Sequence, residues 1–163
     1  MEMANKKMKH TSKSDNKEYN KLLLMTILSF IAMYLFMYSM INSFDNFYNN
    51  VNQFYMDGLM VTPMIIIELL IMGSMYMNKK RNALLIGISL IALIAFYVFI
   101  RQQTAVSDKQ FLKGMIPHHA AAILMAGKSS LQDPEVKALA QKIIVDQQAE
   151  IEQMKAKLKE LDK

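Results

Sequence analysis

Three long apolar runs decide most of what this chain can fold into. Residues 22–41 (LLLMTILSFIAMYLFMYSMI) carry no charge, residues 59–77 (LMVTPMIIIELLIMGSMYM) carry one carboxylate, and residues 83–100 (ALLIGISLIALIAFYVFI) carry none. At a rise of ~1.5 Å per residue, each run covers the ~30 Å hydrocarbon core of a bilayer. Three transmembrane helices are therefore expected. The first run is longer than a signal-peptide core and no small-x-small cleavage pattern follows it, so it is expected to be retained.

Charge around the runs sets their expected orientation. Lys6, Lys7, Lys9, Lys13, Lys17 and Lys21 crowd residues 1–21, no Lys or Arg lies in residues 42–58, and Lys79, Lys80 and Arg81 fill the second turn. By the positive-inside rule, residues 1–21 form a basic arm in the cytoplasm and 22–100 the membrane region. Residues 101–163 are then expected outside a cytoplasmic membrane, beside the Asn- and aromatic-rich loop FDNFYNNVNQFYMDG, although Arg101 and Lys109 run against the trend. A basic arm directly before an apolar run suits lipid headgroups better than nucleic acid. Glu68 sits mid-way along the second run, where a charge costs ~2.5–3.5 kcal/mol on insertion scales. Its expected role is a polar contact holding spans or subunits together, with a proton or metal pathway as the alternative. Pro63 would kink the same helix.

The polar tail reads as a helical hairpin. Ser107 and Gln110 have the spacing of a capping box, an apolar pattern runs from Phe111 to about Ala126, and a turn spans Gly127 to Gln132. Asp133 then offers an N-cap with Pro134 at the first helical position. In the second helix Ala140, Ile144, Gln147, Ile151, Met154, Leu158 and Leu161 alternate by four and three, a narrow seam whose polar member is Gln147. Two helices in ~60 residues enclose too little core to stand alone. Self-association into a four-helix bundle, or a bound metal, would complete them.

Which chemistry the tail could support is set by the string GMIPHHAAAILM, residues 114–125, in a chain with no Cys and 16 Met. Without thiols, soft-metal binding must use thioether sulfur and imidazole nitrogen, a donor pair suited to copper(I) or silver(I) rather than magnesium or calcium. At 100° per residue Phe111, Met115, His118, Ala122 and Met125 share an arc of roughly 80°, with His119 at its edge. The expected site is Met115, His118, Met125 and Met154, with His119 as a further ligand. The competing reading is plain packing, since Met fills cores readily and a histidine pair often has one ring packed and one solvated.

The string FLKGMIPHHAAAILMAGKSS, the D-P-E-V turn and ALAQKIIVDQQAEIEQMKAKL together resemble the family catalogued as domain of unknown function three hundred and five, over about residues 105–161. The matching features are Met115 to His119, Ala122, Met125, Gln147 or Gln148, Glu150, Ile151 and Met154. The resemblance implies a ferritin-like helical arrangement, membrane-anchored relatives and secreted relatives that bind copper or silver. This chain departs from the pattern in carrying one domain rather than a pair, and in having Lys157 and Leu158 where aromatic residues are common.

The reading is thus an all-α membrane protein that binds copper(I) or silver(I) on the outer face, as a homo-oligomer, for sequestration or for hand-over to a metal-transport partner. An enzyme is not expected, because paired Glu-x-x-His motifs are missing: Met115 and Ile116 stand three residues before His118 and His119. One alternative is a metal-free oligomeric scaffold, with Gln147 and Glu150 as polar positions of the helix seam. Another is a small transporter component using Glu68 and the Met33, Met37, Met40 and Met56, Met60, Met64 stripes.

Overall fold

The computed structural model describes residues 2–163, with side chains from Asn16 onward. It is all-helical: α1 (Glu2–Phe36), α2 (Val51–Ile71), α3 (Lys79–Gln102), α4 (Asp108–Lys128) and α5 (Pro134–Leu161), with short 3-10 turns at Met37–Met40 and Phe44–Asn46. The helices divide into two compact units: one through Met33 with Tyr55–Gln102, the other Tyr34–Phe54 with Gln103–Lys163.

The first unit contains the greater part of the three candidate membrane spans, Asn16–Met40, Val51–Ile71 and Lys79–Gln102, with mean hydropathy of 2.0, 1.7 and 2.8; residues 34–40 and 51–54 of the first two belong to the second unit. Most of their apolar side chains face outward, among them Leu24, Leu28, Ile31, Ile91 and Ile94. Helices apolar all round suit a lipid solvent. Inward, Leu22, Leu69 and Tyr76 form a core flanked by Met25, Ile65 and Leu85. Gly58 lets α2 and α3 meet closely, because a Cβ there would lie 2.5 Å from the Phe96 ring. α1 runs from Glu2 to Phe36, so one helix holds the basic segment and most of the first apolar run, and a 3-10 turn at Met37–Met40 follows it.

Two expectations for the second span need correction. It begins at Val51 rather than 59, because the Asn50 side chain caps it by accepting from Gln53 N at 2.8 Å. Val51, Tyr55, Gly58 and Thr62 then continue one helical face backwards into what reads as a polar loop. The helix ends at Ile71, just before Gly73 and Ser74, so Glu68 lies in its last turn rather than at mid-span. There Glu68 accepts a hydrogen bond from Tyr76 Oη at 3.1 Å. Tyr76 packs on Tyr19 with ring centroids 5.3 Å apart, and Tyr19 donates to Asn82 Oδ1. Glu68 therefore ties α1 to the α2–α3 turn as a contact between spans, at their end.

In the second unit α4 and α5 form an antiparallel hairpin. Lys109 Nζ meets Asp162 Oδ1 at 2.9 Å near one end, and a Cβ on Gly127 would lie 3.9 Å from Ile144 Cδ1 towards the other. Asp133 caps α5 as expected, its Oδ1 accepting from Glu135 N at 2.9 Å and Val136 N at 3.0 Å. Ser107 occupies the N-cap of α4, but its side chain makes no capping bond. Gln110 instead accepts from Val51 N at 2.9 Å and fastens the preceding loop to α4. Within that loop Tyr38 Oη donates to the Tyr48 carbonyl at 2.8 Å, and Phe47 packs on Tyr38. The core of the unit is Ile116, Ala120, Ile151 and Leu158, with Ile41 and Tyr48 of the loop packed against it. The fully buried Ala120 leaves room for α5 to cross closely, as the alanine run suggests.

Candidate metal centre

The phase of α4 decides which histidine is structural and which is free. The residues turned towards α5 are Ile116, His119 and Ala120, all buried, and Leu112 and Ile123 pack against the same core. His119 is 9% exposed, whereas its neighbour His118 is exposed. The expected order is thus reversed: the stripe Phe111, Met115, His118, Ala122, Met125 is not the buried one. Phe111 and Met125 are 52% and 51% exposed. The physical reason is a step of one residue, or 100°, in helix phase. Apolar residues at 112, 116, 120 and 123 offer the bulkier aliphatic seam, and that seam takes the core.

Both nitrogens of His119 are engaged. Nδ1 lies 2.9 Å from the Met115 carbonyl and Nε2 lies 2.7 Å from Glu150 Oε2. A carbonyl oxygen only accepts, so Nδ1 carries a proton. The 2.7 Å Nε2 to Oε2 contact is then a hydrogen bond whose proton belongs to the ring or to the carboxyl. Glu150 keeps about half its surface exposed, at 53% of the side chain, so the pair sits at the mouth of the α4–α5 groove rather than inside it.

This contact also fixes the register of the thioethers. Moving from His119 to Met115 is one turn back along α4, and from Glu150 to Met154 is one turn forward along α5. In an antiparallel pair these steps go the same way, by ~6 Å. Met115 and Met154 are therefore level with each other, one turn from the imidazole. Both are half-buried, and Met154 packs against the core.

Of the residues expected at a site, the structure joins His119 and Glu150 directly, and the hairpin register sets Met115 and Met154 one turn along from them. It leaves His118 on the open face beside them, its ring centroid 6.2 Å from that of His119. Met125 lies almost two turns from His119 on the exposed face, away from the cluster. Gln147 is a half-buried seam residue whose Oε1 has no hydrogen-bond partner among the described residues. The candidate donors at these levels of the hairpin are two thioethers and one imidazole, a set suited to a soft monovalent cation. Among the described residues no three His, Asp or Glu side chains converge as a hard divalent ion would need.

A further buried group escapes the sequence reading. Asp57 on α2 is fully buried, and neither carboxylate oxygen has a hydrogen-bond partner among the described residues. The signal for it was the helical spacing of Val51, Tyr55 and Gly58, which places Asp57 in a helix rather than a loop.

Comparison with known proteins adds three findings. Residues 99–158 match the family model described as Domain of unknown function (DUF305). The chain is 42% identical over 113 residues to an uncharacterized protein of Acanthamoeba polyphaga mimivirus, an alignment covering 68% of this chain and 72% of that one. No solved structure matches.

Proposed function

This chain belongs to the family that carries the Domain of unknown function (DUF305), and from that premise we propose that it is a membrane-anchored binding protein for copper(I) or silver(I). Met115, His119 and Met154 hold the cation, for sequestration or for hand-over to a transport partner. The observation that carries this reading is the short bond of His119 to Glu150; it fixes the hairpin register, from which Met115 and Met154 fall level with each other one turn from the imidazole. A cation at Nε2 takes the place of the hydrogen bond to Glu150, since an imidazole nitrogen ligates only when deprotonated. The carboxylate, a hard donor, then balances charge at the groove mouth rather than competing for the soft ion.

The hairpin works outside the cytoplasmic membrane and the N-terminus inside. Supporting this, Lys79, Lys80 and Arg81 stand at the α2–α3 turn on the basic side. Residues 34–54 and 103–163 belong to one compact unit, and two candidate spans separate them in the chain, so both segments emerge on one side. The role is binding rather than catalysis.

The test is an anaerobic titration of the full chain with copper(I) against a competing chelator, with magnesium as the hard-ion control. Binding of one equivalent per chain, lost in His119→Ala and weakened in Met154→Leu, is the expected result. Binding of that equivalent with unchanged affinity in both variants would remove the site.

A further inference from the structure

The meeting of α1 and α3 in the first unit has two unlike sides. On one, Tyr19 donates to Asn82 Oδ1 and packs on Tyr76, which shares a core with Leu22 and Leu69, so α2 occupies that side. On the other, Arg81 Nη1 donates to Asn16 Oδ1, with the guanidinium carbon 5.6 Å from the Tyr19 ring centre. Helix phase then places the neighbours. Around α1, Tyr19 stands ~60° to one side of Asn16 and Lys17 ~100° to the other. Around α3, Asn82 stands ~100° to one side of Arg81 and Lys80 ~100° to the other. Lys17 and Lys80 therefore flank the Arg81 to Asn16 contact on the side turned away from α2, and both are exposed.

Further along, the same side of both helices becomes apolar. Leu24 and Ile27 stand within ~80° of Asn16 around α1, and Leu84 and Ile88 within ~60° of Arg81 around α3, each turned away from α2. All four are half-exposed. Asn16 and Lys79 open two of the candidate spans, so the cations stand at headgroup level and the apolar strip runs on into the hydrocarbon. The nearby carboxylates are engaged elsewhere: Glu18 with Lys21 at 3.0 Å, and Glu68 with Tyr76. An apolar strip alone suits any acyl chain, but cations at its head select a negative headgroup. Asn16 takes one guanidinium N–H of Arg81 and so orients the others, and a planar donor fork beside two lysine point charges is matched to a phosphate.

We infer that the groove between α1 and α3 binds one anionic phospholipid, with its phosphate among Lys17, Lys80 and Arg81 and an acyl chain along Leu24, Ile27, Leu84 and Ile88. The inference rests on the membrane anchoring in the proposed function; it is independent of the metal.

The test titrates the detergent-solubilised full chain with dioleoyl phosphatidylglycerol or dioleoyl phosphatidylcholine and counts bound lipid by native mass spectrometry. One phosphatidylglycerol per chain, bound in preference to phosphatidylcholine, is the expected result. Inorganic phosphate does not displace it, because phosphate alone gains nothing from the apolar strip. Lys17→Gln and Lys80→Gln, at exposed positions where folding is not at stake, each weaken binding about fivefold, the effect of one basic residue near an anionic headgroup. Lys79→Gln removes the same charge from the same turn of α3, but ~160° round the helix from Arg81, and leaves binding unchanged. Equal binding of the two lipids, displacement by phosphate, or a Lys79→Gln variant as weak as Lys80→Gln overturns the inference. Failure of the membrane anchoring looks different: alkaline washing then strips the chain from membranes, whichever lipid it binds.

Discussion

Replacing Ile151 by alanine should be among the most damaging single changes available in the hairpin. Ile151 is fully buried and sits with Ile116, Ala120 and Leu158 in the small core of the second unit. The substitution removes three buried carbons at ~0.8 kcal/mol each, or about 2.4 kcal/mol of transfer free energy. A residual cavity adds ~24 cal/mol per Å³, so incomplete collapse brings the total to ~3–4 kcal/mol. Val145→Ala, six residues earlier on the same helix and 59% exposed, should cost less than ~0.5 kcal/mol. Amide hydrogen exchange of α4 and α5 in the detergent-solubilised full chain separates the two, since hairpin opening is read there apart from the membrane unit. Equal loss of protection in both variants would show that Ile151 does not face α4, and would undo the helix phase on which the assignment of His119 depends.

Other expectations follow from single contacts. Gly58→Ala forces a Cβ against the Phe96 ring and should destabilise α2–α3 packing by ~1–3 kcal/mol, read as a lower melting temperature in detergent. Asp133→Ala removes the cap on Glu135 N and Val136 N and should cost ~0.5–2 kcal/mol, with faster exchange confined to the first turn of α5. The Lys109 hydrogen bond, reinforced by its charge, holds the Asp162 carboxyl below its ordinary value. A depressed folded-state value means the contact stabilises above the unfolded aspartate value of ~3.9 and is lost as pH falls through the folded one. Exchange at the last turn of α5 should therefore rise in acid, and Asp162→Asn should abolish that pH dependence.

Much of this architecture is legible in the sequence because strong patterns carry it. Runs of spanning length, the Asp133–Pro134 helix start and the Ala140 to Leu161 seam each reflect one dominant force, apolar burial or backbone capping. Where two local signals compete, the sequence is ambiguous. Around 112–123 two apolar stripes lie one residue apart, and periodicity alone does not say which one α5 covers; aliphatic bulk decided for Ile116, and His119 turned inward with it. Gln110 had an equally good local partner in Ser107, yet its oxygen bonds to Val51, a tertiary contact with no sequence signature. The start of α2 is hidden by polar residues that one apolar face outweighs. Glu150 is recognisable as a seam residue, but its bond to His119 depends on the hairpin register, which only the packed pair sets.

The measurement that bears most directly on the central claim is X-ray absorption of the copper(I)-loaded full chain, read for the atoms bound to the metal. At one equivalent the account predicts a mixed shell of sulfur and imidazole nitrogen, with the sulfur contribution reduced in Met154→Leu and the nitrogen lost in His119→Ala. A shell of nitrogen and oxygen alone, unchanged by Met154→Leu, would contradict it.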